Sequence, residues 1–205
     1  YLTVTHLDGL GCLYLHGFLS SPQSLKAQET LAYFRRQGLE TALRLPELPF
    51  APADAITLAA DQLQQLQQRY ERVCVIGSSL GGFYATWLAE AYRVPAVLVN
   101  PAVQPHKLFR HYVGPNRHYY SGQSFELTDI HLDQLAALDV TSVARPEDLL
   151  VLLQTADETL DYRHAAQLYR HCPGWSQAGG THSFEGYGQF LPRIMAFVAS
   201  RQLFH

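Results

Sequence analysis

Apolar runs of strand length alternate with segments of helical period along this chain, and that alternation predicts an α/β fold with a mainly parallel sheet of about six strands flanked by helices. Two further observations support the class. Most of the apolar runs lack strict in–out alternation, as expected of strands covered by helices on both faces. A Gly-x-Ser-x-Gly pattern, Gly77-Ser78-Ser79-Leu80-Gly81, also falls where one such run gives way to a helix.

The candidate strands are 12–16, 42–45, 73–77, 96–100, 149–154 and 174–177. Ser24 can cap a first helix through Arg36, with Gly38 as its stop. Asp54 can cap a second, rich in Leu and Gln, that runs to about Tyr70. A third starts behind Ser79 and carries Phe83, Trp87 and Leu88 toward the sheet. Residues 161–171 read as a fourth, with Ala165, Leu168 and Tyr169 at helical spacing. The last, 190–203, puts Ile194, Phe197 and Val198 on one face and Pro192 in its first turn.

Residues 103–140 break the alternation. Gly114, Pro115, Asn116 and Gly122 punctuate a stretch rich in aromatic and His residues that has no clean period. A connection of that length is usually functional. It is expected to form a small helical lid within one domain spanning residues 1–205, and its many Tyr, Phe and Leu residues argue against disorder.

Composition excludes several classes of function. A chain of 205 residues can bury about 70% of the surface exposed when unfolded, enough for one core. The net charge of −3 comes without any Lys/Arg run, which argues against a nucleic-acid partner. No apolar stretch approaches the roughly 20 residues of a membrane span. Cys12, Cys74 and Cys172 are odd in number and show no CxxC spacing, and the first two lie in strand-like runs where a thiol packs as a small hydrophobe. A disulfide framework or zinc site is therefore not expected, and a reducing, cytoplasmic compartment is. HExxH and P-loop motifs are absent and the histidines of 103–140 lack ligand spacing, so no metal and no cofactor are expected. The chain opens on Tyr1 rather than Met, a start compatible with a trimmed leader or tag, and His205 is where a tag could begin.

A lone Gly-x-Ser-x-Gly match means little, because a chain this long shows one by chance with odds of roughly 0.07. Its context means more. Arg72-Val-Cys-Val-Ile-Gly77 is a buried-strand sequence and Leu80 to Glu90 a good helix former, so the serine sits at the strand–turn–helix junction that a nucleophile elbow requires. The residues two before and two after the nucleophile must lack side chains in so tight a turn. Ser79 has Gly77 and Gly81 there, whereas Ser78 would have Ile76 and Leu80. Helix N–H groups behind Ser79 would face developing negative charge.

A serine hydroxyl needs a base, and the base needs an orienting acid. In the α/β-hydrolase fold these follow in the order Ser, Asp or Glu, His. Asp157 lies just past the apolar run Leu149-Leu-Val-Leu-Leu-Gln154, with Glu158 and the helix-capping Asp161 as alternatives. His182, in Gly179-Gly-Thr-His-Ser-Phe184, stands on a loop after both the serine and the acid and before the last helix, whereas His164 and His171 fall within the fourth helix and His106, His111, His118 and His131 within 103–140. The oxyanion hole is expected from the backbone N–H of Leu80 and of Phe18, which follows His16-Gly17 at the end of the first strand; Leu19 is the next candidate donor. His16 reads as a brace for that loop rather than a base.

These residues resemble the YqiA-like esterases, small bacterial α/β-hydrolases. The stretches that carry the resemblance are Tyr14-Leu-His-Gly-Phe18 with Ser20-Ser-Pro22, Ile76-Gly-Ser-Ser-Leu-Gly-Gly-Phe-Tyr-Ala-Thr-Trp-Leu88, Val99-Asn-Pro-Ala-Val103, Tyr120-Ser-Gly-Gln123, Thr155-Ala-Asp-Glu-Thr-Leu-Asp-Tyr162 and Gly179-Gly-Thr-His-Ser-Phe184. Their joint order covers nearly the whole chain from Leu13. The resemblance implies carboxyl-ester hydrolysis with Ser79, Asp157 and His182 as the triad, and acyl-CoA thioesters as a related substrate class. Ala156 stands where a Gly is expected before the acid, and residues 1–12 extend past the resemblance as an extension or extra strand.

The expected partner is a small acyl ester or thioester. Leu108, Phe109, Tyr112, Tyr119 and Tyr120 would either line an apolar pocket for short or medium acyl chains or glue the lid to the body. A binding protein on an inactivated hydrolase fold is the other class of reading, and it predicts a missing triad member. Oligomeric state is not legible.

Overall fold

The computed structural model describes residues 7–118 and 120–201. Its elements run β1 (Leu10–Leu15), α1 (Leu25–Arg36), β2 (Leu43–Arg44), α2 (Pro52–Arg69), β3 (Arg72–Ser78), α3 (Leu80–Tyr92), β4 (Ala96–Val99), α4 (Pro105–Leu108), β5 (Gly114–Arg117), β6 (Ser124–Leu127), α5 (Asp129–Ala137), β7 (Leu149–Gln154), α6 (Tyr162–Leu168), β8 (Gly174–Gln177) and α7 (Tyr187–Arg201). Six strands form one parallel sheet in the order β2-β1-β3-β4-β7-β8. The chain steps outward from β1 to β2, then crosses back to β3 and continues the other way. The loops after β1 and β3 therefore diverge, and the crevice between them opens at the carboxyl edge, where ligands bind in sheets of this kind.

The inner strands β1, β3, β4 and β7 have no polar face because each face carries its own helical layer, whereas the edge strand β8 is exposed. Leu13, Leu15, Val75, Leu98 and Val151 pack with Leu63 and Leu66 of α2 and Leu88 of α3. The alternate positions Tyr14, Ile76, Val97, Val99 and Leu152 pack with Phe34 of α1 and Ile194, Met195 and Val198 of α7. Each of the fully buried branched side chains contributes about 1.5–3 kcal/mol. That rigid slab fixes the strand ends on which the functional loops are mounted.

Several boundaries differ from those read in the sequence. Helix α2 begins at Pro52 with Ala51 as its cap residue, so Asp54 sits inside the first turn rather than capping it. Proline suits the first helical position because that N–H would lack a helical partner anyway. Helix α6 ends at Leu168, short of His171, because the pairing of Cys172 with Pro173 disfavours helical backbone. Helix α7 starts at Tyr187, earlier than expected, which moves Pro192 past the first turn. Leu10 to Cys12 belong to β1, while residues 1–6 and 202–205 lie outside the described residues.

The stretch 103–140 is not purely helical. Between α4 and α5 it folds back as an antiparallel hairpin of β5 and β6. Its strands, Gly-Pro-Asn-Arg and Ser-Phe-Glu-Leu, hold no β-branched residue and are short, so neither strand propensity nor period marks them. The hairpin turn is built by His118, whose Nδ1 accepts the N–H groups of Tyr120 and Ser121 at 3.2 and 3.1 Å. The stretch docks through aromatic rings: Phe50 stacks on Phe125 at 4.3 Å between centroids and Phe18 meets Phe109 at 4.7 Å. Among the described residues no helix is long and apolar enough to cross a membrane.

Candidate active site

Strand β3 ends at Ser78 and α3 starts at Leu80, leaving Ser79 between them at φ 58°, ψ −119°. A residue with a side chain held there costs on the order of 1–3 kcal/mol, and such strain persists only where the surroundings impose it. Here they do. A Cβ on Gly77 would overlap the Gly81 carbonyl, and one on Gly81 would overlap the Leu15 carbonyl. Strands β1 and β3 and helix α3 thus converge with no room for side chains. Strand β4 fixes the tip from the other side, since Ser79 N–H donates to Val99 O at 3.0 Å and Ala102 N–H donates to Ser79 O at 3.0 Å.

The loop after β8 brings His182 to this tip, and the loop after β7 brings Asp157 behind it. Nε2 of His182 lies 3.0 Å from Ser79 Oγ, and Nδ1 lies 2.9 Å from Asp157 Oδ2. The other oxygen of Asp157, Oδ1, accepts the N–H groups of Thr159 and Leu160 at 2.9 and 2.8 Å. Asp157 is almost fully enclosed, with a side chain 2% exposed against 21% for His182. Burial alone would push the carboxyl pKa up. The hydrogen bond from His182, its charge and the two backbone donors outweigh this and hold the pKa below the usual carboxylate range. The site residues expected from sequence, Ser79, Asp157 and His182, are therefore joined in one line of contacts with His182 in the middle.

The two alternative acids are engaged elsewhere. Asp161 accepts the Arg163 N–H at 3.0 Å as the cap of α6 and pairs with its guanidinium. Glu158 accepts the backbone N–H of His182 at 2.9 Å, so it touches the histidine's main chain and not its ring.

Gly17 faces Ser79 so closely that a Cβ there would lie 3.2 Å from Ser79 Cβ. From it the chain turns tightly, with Ser20 N–H donating to Gly17 O at 3.2 Å and Leu19 at φ 59°. Among the described residues the N–H groups of Phe18 and Leu80 donate to no protein acceptor. His16 anchors this turn. Leu48 N–H donates to its Nε2 at 2.9 Å, so Nδ1 carries the proton and donates to Gly17 O at 2.8 Å. Burial pushes the His16 pKa down, in keeping with that neutral form. His16 is thus a brace and has no free nitrogen for proton transfer.

A cavity of about 510 Å³ opens on Ser79 and His182. Its wall is mainly apolar, with Phe18, Leu25 and Tyr120 beside the polar side chains of Ser24, Lys26 and Glu29. Lys26 donates to the Ser183 carbonyl at 2.8 Å. Of the residues offered as an apolar lining, Leu108 and Phe109 pack into the body, Tyr112 rests on Phe18 and Phe109, and Tyr120 reaches the cavity; Tyr119 lies outside the described residues. The sequence reading passed over two buried amides, Asn100 and Gln154, that meet the His182 loop. Both follow directly on apolar strand runs, Ala96-Val-Leu-Val99 and Leu149-Leu-Val-Leu-Leu153, and a polar residue in that position is the signal that could have found them.

An elbow on a sheet of this order defines the chain as an α/β-hydrolase-fold protein, and its likenesses agree. Est1E from Butyrivibrio proteoclasticus, solved with ferulic acid bound, superposes with a TM-score of 0.66 at 14% identity over 94% of this chain and 88% of its own. The monoacylglycerol lipase of Paleococcus ferrophilus gives 0.65 at 14% identity, over 92% and 93% of the two chains. Among curated proteins, human alpha/beta hydrolase domain-containing protein 17C is 26% identical over 66% of this chain and 40% of its own length. The Xenopus laevis 17B protein is 26% identical over 73% and 49%. The chain thus spans less than half the length of these two curated relatives. Its particular family follows from a model that matches residues 11–199, described as uncharacterised protein family UPF0227: the chain belongs to this family, that of the YqiA-like esterases.

Proposed function

We propose that the protein hydrolyses carboxyl esters of short or medium acyl chains through an acyl-enzyme on Ser79. The observation that carries this reading is the unbroken line of contacts from Ser79 Oγ through both ring nitrogens of His182 to Asp157 Oδ2. Asp157 keeps the Nδ1–H tautomer, which leaves Nε2 free to take the Ser79 proton as Oγ attacks the ester carbonyl. The tetrahedral oxyanion forms beside the N–H groups of Phe18 and Leu80, each worth roughly 3 kcal/mol in the transition state. His182 then returns the proton to the leaving alcohol, and water repeats the sequence on the acyl-enzyme to release the acid. Apart from substrate and water, these steps call only on side chains and backbone of this chain. Residues 103–140 act as the lid of the cavity, with Tyr120 on its wall.

The test is hydrolysis of p-nitrophenyl esters of graded acyl length, and of acyl thioesters, by wild type, Ser79→Ala and His182→Ala. Wild type is expected to turn over the shorter esters and both variants to lose about 10³-fold or more. Full activity in Ser79→Ala, or none in wild type on any ester or thioester, refutes the proposal.

A further inference from the structure

The loop that carries His182 makes few hydrogen bonds of its own. Within 181–185 one backbone bond closes a turn, Phe184 N–H to Thr181 O at 3.1 Å. The remaining polar groups of its backbone are met mainly by side chains from elsewhere. The Asn100 amide nitrogen donates to the carbonyls of Thr181 and His182 at 3.1 and 3.0 Å. Gln154 Oε1 accepts the N–H groups of Thr181 and Glu185 at 3.1 and 2.8 Å, and its Nε2 donates to Glu185 O at 2.9 Å.

The two amides are themselves held by the sheet. Asn100 and Gln154 are 2% and 3% exposed, and they follow or end the adjacent parallel strands β4 and β7. The Asn100 N–H donates to Leu152 O at 2.9 Å, and its side-chain oxygen accepts the Gln154 N–H at 3.0 Å. Gln154 Nε2 has Gln177 of β8 as its second acceptor at 3.0 Å. The orientation of the Asn100 amide follows from these partners, since the flipped form would set its NH₂ against the Gln154 N–H and its oxygen against two carbonyls. The fit at Gln154 is equally close, because a Cβ on Gly180 would overlap its amide. The Gln154 carbonyl also accepts the Asp157 N–H at 3.3 Å, so the same residue touches the loops of both the acid and the base.

We infer that Asn100 and Gln154 are positioning residues that transfer the rigidity of the sheet to His182 and set its reach to Ser79 and Asp157 together. The inference rests on His182 being the catalytic base. Neither amide touches the reacting atoms. Their effect is geometric, and a misplacement of about 1 Å in a reacting group costs on the order of 10²-fold in rate.

Asn100→Ala removes the donor to both loop carbonyls. Asn100→Asp keeps the shape and the acceptor for the Gln154 N–H while setting an oxygen against those carbonyls. The experiment measures kcat per site counted by complete phosphonate labelling, so that any misfolded fraction drops out, together with KM and the downfield NMR signal of the His182 Nδ1 proton. Both variants are expected to lose about 10²-fold in kcat per labelled site, to keep KM within about threefold, and to broaden or lose the downfield signal. Gln154→Glu retains the acceptor for two N–H groups but sets an oxygen against the Glu185 carbonyl and the Gln177 side-chain oxygen, and is expected to lose kcat per labelled site to a similar extent. If wild type is active, His182→Ala is dead and both Asn100 variants keep wild-type kcat per site with the downfield signal intact, the positioning role is overturned while the hydrolase reading stands. If His182→Ala stays active, the base assignment and this inference fall together.

Discussion

Replacing Asp157 by Asn separates the role of the carboxylate from its shape. In the native protein Oδ1 accepts two backbone N–H groups and Oδ2 accepts the His182 Nδ1–H. An Asn that keeps its oxygen on Thr159 and Leu160 must turn its NH₂ toward Nδ1. Two donors then face each other, and the imidazole escapes by moving its proton to Nε2. That proton points at Ser79 Oγ, 3.0 Å away, where a lone pair is needed. A triad with the wrong tautomer loses roughly 10⁴-fold in kcat, about 5.5 kcal/mol of transition-state stabilisation. The assay is p-nitrophenyl ester hydrolysis across the pH range, with unfolding by urea followed in parallel. Folding lowers the Asp157 pKa, so the carboxylate adds stability above its unfolded value of about 3.9 and loses that contribution as pH falls through the lower folded value. The variant should thus be less stable than wild type at pH 7, with the gap closing below about pH 4. Retention of more than a tenth of wild-type kcat by Asp157→Asn would rule out Asp157 as the carboxylate that orients His182, most sharply if Glu158→Gln were the inactive variant instead.

Three further outcomes follow from the geometry. Ser79→Gly should abolish hydrolysis yet stabilise the fold by about 1 kcal/mol in thermal melts, because glycine relieves the strain at φ 58°; a less stable variant contradicts the strained elbow. Gly81→Ala should destabilise by about 3 kcal/mol or fail to fold, since the new Cβ overlaps the Leu15 carbonyl, and a near-neutral result in urea titration would contradict that contact. Burial lowers the His16 pKa, so wild type should lose stability as pH falls below about 6.5, the unfolded value. A His16→Gln variant should lack that part of the pH dependence in chemical denaturation, and an unchanged profile would remove His16 as its source.

What the sequence made legible was the set of features fixed by local sterics and chain order. The elbow could be read because only glycines fit at positions 77 and 81, and the order of Ser79, Asp157 and His182 because each sits at a strand end. The hairpin of β5 and β6 was not legible, since its strands are short, lack β-branched residues and take their stability from rings on other elements, Phe50 and Phe18. The start of α2 was masked by Asp54, a good cap residue that lies instead at the third position of the helix. That Ser24, Lys26 and Glu29 share the cavity wall was hidden because they belong to a helix start that reads as an ordinary amphipathic surface. Nor could spacing reveal that Glu158 would serve the main chain of His182 while its neighbour served the ring.

The proposed hydrolysis depends on Ser79 being a live nucleophile. Incubation with a fluorophosphonate, followed by peptide mapping in a mass spectrometer, tests this directly. One adduct per chain is expected, on Ser79, with none in Ser79→Ala and a labelling rate lowered about 10³-fold in His182→Ala. An adduct on Ser78 or any other residue, or ester hydrolysis that continues while Ser79 stays unlabelled, would contradict it.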